Sequence, residues 1–304
     1  MPRLIFVPQM SVNLRYQEWF PELFYIHLEK EFDDIKVLGS TVPYSSEKEM
    51  FAPINLSIEH EMQQIKEYMN MKIYDDDILF LADLSFPGFF CNALYHKPIK
   101  NAFAYCHATS KNYLDYFPRI KFSCETSHSM LFKKIFVGSQ YHADKLGWDN
   151  VEVIGLPTPP FPTYKEEKIY DIISVCRPCP QKVDEKLEKE ISKEFGEIVR
   201  KQCNTWEEYY KFLSQSKVLF ISSFEDTFNY SALEAINNNC CVVAPERCSF
   251  PELLPKEFLY NKKTMAIEII HSILDGELEC PKELLNQELV DNFFKNLIKG
   301  IKEN

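Results

Sequence analysis

The sequence predicts an α/β fold of two Rossmann-like halves, each a parallel sheet covered by helices. Three observations carry this. Apolar runs of strand length alternate with helical patterns along the chain. A proline-rich stretch interrupts the alternation near its middle. The 304 residues leave room for about two domains. Strands that alternate with helices form parallel sheets covered on both faces. Two such halves are expected to face a cleft, with ligands at the carboxyl ends of the strands.

The elements follow in order. RLIFVP (3–8) reads as a strand, YQEWFPELFYIHLEKEF (16–32) as a helix and DIKVLGS (34–40) as a strand. DILFLADL (77–84), NAFAYCH (101–107) and KIFVGS (134–139) are further strand-length apolar runs. QYHADKLG (140–147) is a short helix with Ser139 as N-cap and Gly147 closing it, and VEVIGLP (151–157) is another strand. Pro157, Pro159, Pro160 and Pro162 then fall within six residues, which no helix or central strand tolerates. This sets a linker at 158–168 between an N-terminal domain, 1–157, and a C-terminal one, 169–283. Beyond it, DIISVC (171–176), VLFISS (218–223) and CVVAPE (241–246) read as strands. VDEKLEKEISKEFG (183–196), TWEEYYKFLSQS (205–216) and AIEIIHSILDG (266–276) read as helices. The last segment, 284–304, carries a helix expected to pack back on the N-terminal domain.

A net charge of −11 and a pI near 5.2 argue against a dedicated nucleic-acid coat protein. No run of 18 apolar residues occurs, and MPRLIFVPQM is too short for a signal segment, so a soluble cytoplasmic chain is expected. The ten cysteines sit mostly in apolar runs, the pattern of reduced, buried thiols. Cys176 and Cys179 make a CxxC, but no second ligand pair follows at zinc spacing. GxGxxG, GxxxxGK[ST] and HExxH are absent.

The stretch FEDTFNYSALEAINNNCCVVAP (224–245) carries the most chemistry. Ser222, Ser223, Glu225 and Asp226 follow the strand VLFISS. A helix is expected from about Thr227–Phe228, with Asp226 or Thr227 as its N-cap. Its free N–H groups and positive dipole end suit a diphosphate. Glu234 stands eight residues after Asp226, roughly 12 Å along a helix. Two carboxylates so placed bracket an anion with hydroxyl groups at both ends, as in a nucleotide sugar. The plainer reading is an N-capping Asp226 and a solvated Glu234.

The run from Asp226 to Ala244 resembles the signature of retaining family 4 glycosyltransferases of the GT-B fold, E-G-F-G-L-x-x-x-E-A-x-A-x-G-x-P-V-V-A. It matches without gaps over 19 positions. Phe228, Glu234, Ala235, Val242, Val243 and Ala244 are identical. Thr227 and Asn229 replace two glycines, Asn239 replaces the third and Cys241 the proline. Asn239 is a mild change, because asparagine tolerates the left-handed conformation. In SVCRPCPQK (174–182), Arg177 and Lys182 fit the family's R-x4-K. SFPELLP (249–255) is similar to its G-G-x-P-E-V turn, and 136–157 to the segment before its linker.

The resemblance implies a GT-B fold, two Rossmann-like domains with parallel sheets facing a central cleft. It implies a metal-independent hexosyl- or pentosyltransferase that uses a nucleotide-diphosphate sugar, retains configuration and needs no cofactor. The catalytic set would be Asp226 or Glu225, His107, Arg177 and Lys182. The two cations would hold the departing diphosphate, charge stabilisation of a kind that weighs heavily in catalysis. Ser223, Thr227, Phe228, Asn229 and Glu234 would complete the donor site, with Glu234 on the ribose. His107, after the strand NAFAYCH, would face the sugar, and Asp83, after ILFLA, would meet the acceptor. Asp75-Asp76-Asp77 precedes its strand and reads as a solvated turn, not as the metal motif of the GT-A fold.

Residues 95–134 carry seven Lys or Arg and interleaved aromatics. They predict a basic face for a nucleic acid or a membrane-associated glycan. The acceptor is accordingly a saccharide, a lipid-linked glycan or a modified nucleic-acid base. Two other functions stay open: a nucleotide-sugar epimerase on the same fold, and a catalytically silent binding protein.

Overall fold

The structure, a computed structural model, describes residues 2–8, 20–39, 49–51, 53–84, 89–112, 122–158, 161–177, 179–281 and 287–303. The chain divides into two compact units, Met1–Pro159 with Val290–Asn304, and Pro160–Leu289.

Unit 1 is built on six parallel strands in the order β2-β1-β3-β4-β5-β6. They are β1 (Leu4–Val7), β2 (Ile35–Val37), β3 (Ile78–Leu81), β4 (Asn101–Cys106), β5 (Lys134–Val137) and β6 (Val151–Val153). β1 and β3 are apolar at every position and wholly buried, as strands covered on both faces must be. The helices are α1 (Phe20–Leu28), α2 (Ile54–Asn70), α3 (Phe122–Ser129) and α4 (Gln140–Leu146), with a π-helical turn at Phe89–Leu94. α4 has the expected caps. Ser139 Oγ accepts the His142 N–H, and Gly147 closes the helix at φ 63°.

The structure corrects the reading of Asp77. It is 1% exposed and accepts Arg3 Nε at 3.1 Å and Nη2 at 2.5 Å, so it is half of an ion pair, not a solvated turn residue. The pair sits at the amino end of β1 and β3, where Arg3 and Asp77 precede adjacent strands.

Unit 2 has a parallel sheet in the order β10-β9-β8-β7. The strands are β7 (Tyr170–Ile173), β8 (Ser216–Phe220), β9 (Cys241–Pro245) and β10 (Leu259–Tyr260). A bridge from Ile173 to Val199 extends the sheet beyond β7. The chain thus steps from β7 to Val199 on one side, then returns to β8 on the other. That reversal is a topological switch point, and the loops after β7 and β8 flank it. The helices are α5 (Glu185–Phe195), α6 (Trp206–Ser214), α7 (Tyr230–Asn237), α8 (Phe250–Leu253) and α9 (Lys263–Leu274). A last helix, α10 (Gln287–Lys302), carries Phe293 and Phe294, whose rings meet Phe24 of α1.

Candidate active site

Three loops of unit 2 meet at the carboxyl ends of its strands. The loop after β7 carries Arg177, Gln181 and Lys182. The loop after β8 carries Ser222 to Asn229, and the loop after β9 carries Arg247 to Ser249. Backbone bonds join the first two, with Phe224 N and Glu225 N donating to the Gln181 carbonyl at 2.8 and 3.3 Å. Ser222 ties the second loop to the start of α5: Oγ accepts the Asp184 N–H at 3.0 Å and donates to Glu188 Oε1 at 2.7 Å.

Asp226 is 5% exposed, and its carboxylate is held on two sides. Lys182 Nζ lies 3.1 Å away and also donates to the Glu225 carbonyl at 2.8 Å. Asn229 Nδ2 donates to Asp226 Oδ2 at 2.9 Å. Buried Ser223 shares its hydroxyl among the Gln181 and Glu225 carbonyls and Asp226. Thr227 and Phe228 are half-buried in the same loop, and Arg177 is exposed. The structure therefore brings Lys182, Ser223, Glu225, Asp226 and Asn229 together. A buried carboxylate with a lysine and an amide on it is a pre-formed polar cluster, and an incoming anion would compete with Asp226 for Lys182.

Two expectations are corrected. Helix α7 starts at Tyr230, and Asn229, not Asp226 or Thr227, is its N-cap, its Oδ1 accepting the Ala232 N–H at 2.9 Å. Asparagine caps as well as aspartate, which leaves Asp226 to pair with Lys182. Glu234 is 1% exposed and faces α6, with Tyr209 OH donating at 2.8 Å and Tyr210 OH at 3.1 Å. It is neither solvated nor at the loop surface.

Arg247 and Cys248 escaped the sequence reading. Arg247 Nε donates to the Ser223 carbonyl at 3.1 Å, and its guanidinium lies 4.8 Å from the Phe224 ring centroid. Cys248 takes φ 56°, a left-handed conformation costly for a non-glycine residue. The signal was present: Cys248 and Ser249 align with the two glycines of the G-G-x-P-E-V turn.

In unit 1, Asp83 is 3% exposed after β3, and half-buried His107 follows β4 on the neighbouring strand. Burial lowers the His107 pKa, against the Asp83 carboxylate and a hydrogen bond to the Ala82 carbonyl. His142 is also close: burial, His107 and Lys145 push its pKa down to about 3.

Of the basic face expected at 95–134, Tyr95, Lys100 and Lys133 are exposed, and other members are held by local contacts. Lys97 Nζ caps the end of α2 through the carbonyls of Tyr68, Met69 and Met71. Lys111 binds the Lys145 carbonyl, and Lys134 pairs with Glu152. Phe103, Tyr105 and Phe132 are core residues. Arg119 and Lys121 lie outside the described residues. Among these residues, no group of three or more His, Cys, Asp or Glu side chains is placed to hold a metal, and no helix is long and apolar enough to cross a membrane.

No protein-family model matches the chain. A curated tRNA-queuosine alpha-mannosyltransferase of Drosophila melanogaster is 25% identical over 124 residues, 41% of this chain and 31% of that protein. The chain thus spans under a third of that relative. Among solved structures, a point mutant of TarM of S. aureus, in complex with UDP, aligns at a TM-score of 0.53 and 17% identity. The alignment covers 80% of this chain and 56% of that one. The lipopolysaccharide outer core galactosyltransferase WaaB aligns at a TM-score of 0.60 and 12% identity, over 99% of both chains. Two parallel-sheet units with these neighbours establish the fold as GT-B.

Proposed function

We propose that the protein is a glycosyltransferase that moves a sugar from a nucleotide-diphosphate sugar to an acceptor hydroxyl, with retention of configuration. The observation that carries this is the Lys182–Asp226–Asn229 cluster at the switch point of unit 2. Lys182 and Arg177 take the diphosphate, with the N–H groups of the Thr227–Asn229 loop. As the glycosidic bond breaks, negative charge grows on that diphosphate, and fixed cations stabilise it. Donor binding then draws Lys182 from Asp226, and Asp226 or Glu225 is released to hold the sugar hydroxyls. Glu234 reads the ribose in this scheme, once Tyr209 or Tyr210 yields its bond. His107, neutral at physiological pH because burial lowers its pKa, is suited to accept a hydrogen bond from a sugar or acceptor hydroxyl. Asp83 orients that acceptor. The side chains and N–H groups supply the charge stabilisation without a metal, and the reaction belongs to the cytoplasm.

For the acceptor we favour a hydroxyl on a modified nucleic-acid base over a saccharide or lipid-linked glycan. Similarity to the tRNA-queuosine mannosyltransferase supports it.

Calorimetry against UDP-, GDP- and ADP-sugars tests the donor, and NMR of the product tests the anomer. One donor is expected to bind, Lys182→Ala to lower kcat by about 10²-fold, and activity to survive EDTA. If no donor binds and Arg177→Ala changes nothing, the reading fails. Conversion of donor without any acceptor would instead identify an epimerase.

A further inference from the structure

Helix α2 of unit 1 carries its apolar residues on the side away from the core. Its inward stripe is Ser57, His60, Gln64 and Tyr68, all buried, while Ile58, Met62 and Met69 on the outer side are 52%, 64% and 42% exposed. Single exposed apolar residues need no explanation, but a row of them along one helix face marks a contact surface. Ile58, Met62, Ile65 and Met69 follow one another at spacings of 4, 3 and 4 residues. That is the a and d alternation of a coiled-coil seam. Ile65, half-buried against the core of unit 1, forms the inner margin of this seam.

The charges beside the row decide what it fits. Glu59 and Lys66 are exposed, lie on the same flank and occupy successive e positions of the heptad. Seven residues set them roughly 10 Å apart along the helix, too far to pair within one copy. Where two such helices pack antiparallel, e faces e, and Glu59 of each copy meets Lys66 of the other. Two residues thus make two ion pairs about a two-fold axis, the self-complementarity that an isologous contact requires. A parallel pairing would set e against g and leave Glu59 without an opposing charge.

We propose that the exposed seam of α2 is the contact of a two-fold symmetric dimer, in which α2 packs antiparallel on α2 of a second copy of this chain. Ile58 of one copy meets Met69 of the other, and Met62 meets Ile65. By symmetry this gives four apolar layers, with two Glu59–Lys66 ion pairs along one edge. Methionine adapts its shape to the facing surface, and burial of the row removes apolar area from water. The ion pairs, at the rim, set orientation more than strength. Four side chains a copy make a small contact, so the dimer is weak and forms as concentration rises. None of this depends on glycosyl transfer.

Sedimentation velocity of the full chain over a range of concentrations tests it. The wild type is expected to move from 35.8 kDa towards twice that mass. Met62→Glu puts a charge into the seam and should weaken the association by about tenfold or more. Glu59→Lys and Lys66→Glu should each weaken it alone, because each sets like charges opposite one another. Mixed in equal amounts, those two variants should associate again, since each supplies the charge that the other lacks. The three side chains are exposed, so the variants should keep the fold, which circular dichroism checks. A wild type that stays monomeric, a dimer that survives Met62→Glu, or indifference to both charge reversals overturns the proposal. So does a monomer that floats with phosphatidylcholine vesicles and loses this with Met62→Glu, because the row would then meet lipid.

Discussion

At His142, burial decides the protonation state. The ring is 1% exposed, and its Nε2 has no hydrogen-bond partner. Burial, His107 and Lys145 push its pKa down to about 3, against about 6.5 in an unfolded chain. Between those values the unfolded chain takes a proton that the folded one refuses. The contribution of His142 to stability is therefore complete above about pH 6.5 and falls as the pH drops towards 3. The slope is at most about 1.4 kcal/mol per pH unit. From pH 7 to pH 5 the native protein should lose about 2 kcal/mol more than His142→Leu, read by urea unfolding at both values. Parallel losses in the two proteins would mean that the ring is solvated. The same scale separates what the sequence could reveal at Glu234. Its identity and spacing were readable. Its partners, Tyr209 and Tyr210, come from a different helix, and no local pattern announces a contact of that kind.

Elements were legible where their buried face is apolar. β1, β3 and β9 are continuous apolar runs, β8 ends in one at Val218–Phe220, and α4 and α5 carry caps in sequence. Helix α2 was not assigned, for a physical reason. Its buried stripe is Ser57, His60, Gln64 and Tyr68, while Ile58 and Met62 are 52% and 64% exposed. A polar stripe gives no apolar periodicity to read, although Gln64 offsets its burial by donating to the Pro8 carbonyl at 3.0 Å. Within 95–134, local carbonyls take Lys97 and Lys111 and the core takes Phe103 and Tyr105, while Lys100 and Lys133 stay exposed. The three asparagines before β9 are another element-scale device. Asn239 takes φ 55° after α7, as expected for a left-handed helix end. Asn237 Nδ2 donates to the Phe161 carbonyl and to Thr163 Oγ1. Asn238 accepts the Tyr164 N–H at 3.0 Å and donates to the Pro162 carbonyl at 3.0 Å. The stretch expected as a linker is thus tied to α7 over residues 161–164. Asn238→Ala removes both bonds, together with the one from its Nδ2 to the Glu234 carbonyl, and leaves the part-buried Tyr164 N–H without its acceptor, at a cost of about 1 kcal/mol. Hydrogen exchange at Tyr164 should quicken in that variant. An unchanged rate would show that the asparagine does not hold the strap.

Across the whole molecule, chain order and compact units do not coincide. Unit 1 closes with residues that follow unit 2, because α10 covers one face of its sheet layer. Phe293, Phe294, Leu297 and Ile301 are each at most 3% exposed. Phe294 stacks on His27 with centroids 3.9 Å apart, and Lys302 pairs with Glu31 at 2.5 Å. The approach is closest at Gly300, where an added Cβ would sit 2.6 Å from Cε1 of Phe136. Phe136 is fully buried in β5 and has no room to move aside. Glycine is needed here for space, so Gly300→Ala should destabilise unit 1 by about 1–3 kcal/mol. Unit 2 makes its core from its own residues, centred on β8, and should keep its stability. The two units then separate in denaturant: tryptophan fluorescence of Trp148 reports unit 1, and that of Trp206 reports unit 2. With the other tryptophans replaced by phenylalanine, Gly300→Ala should move the Trp148 transition to lower urea and leave the Trp206 transition in place. A joint shift of both would mean that the molecule unfolds as one cooperative body, and that α10 stabilises the whole chain rather than the unit it covers.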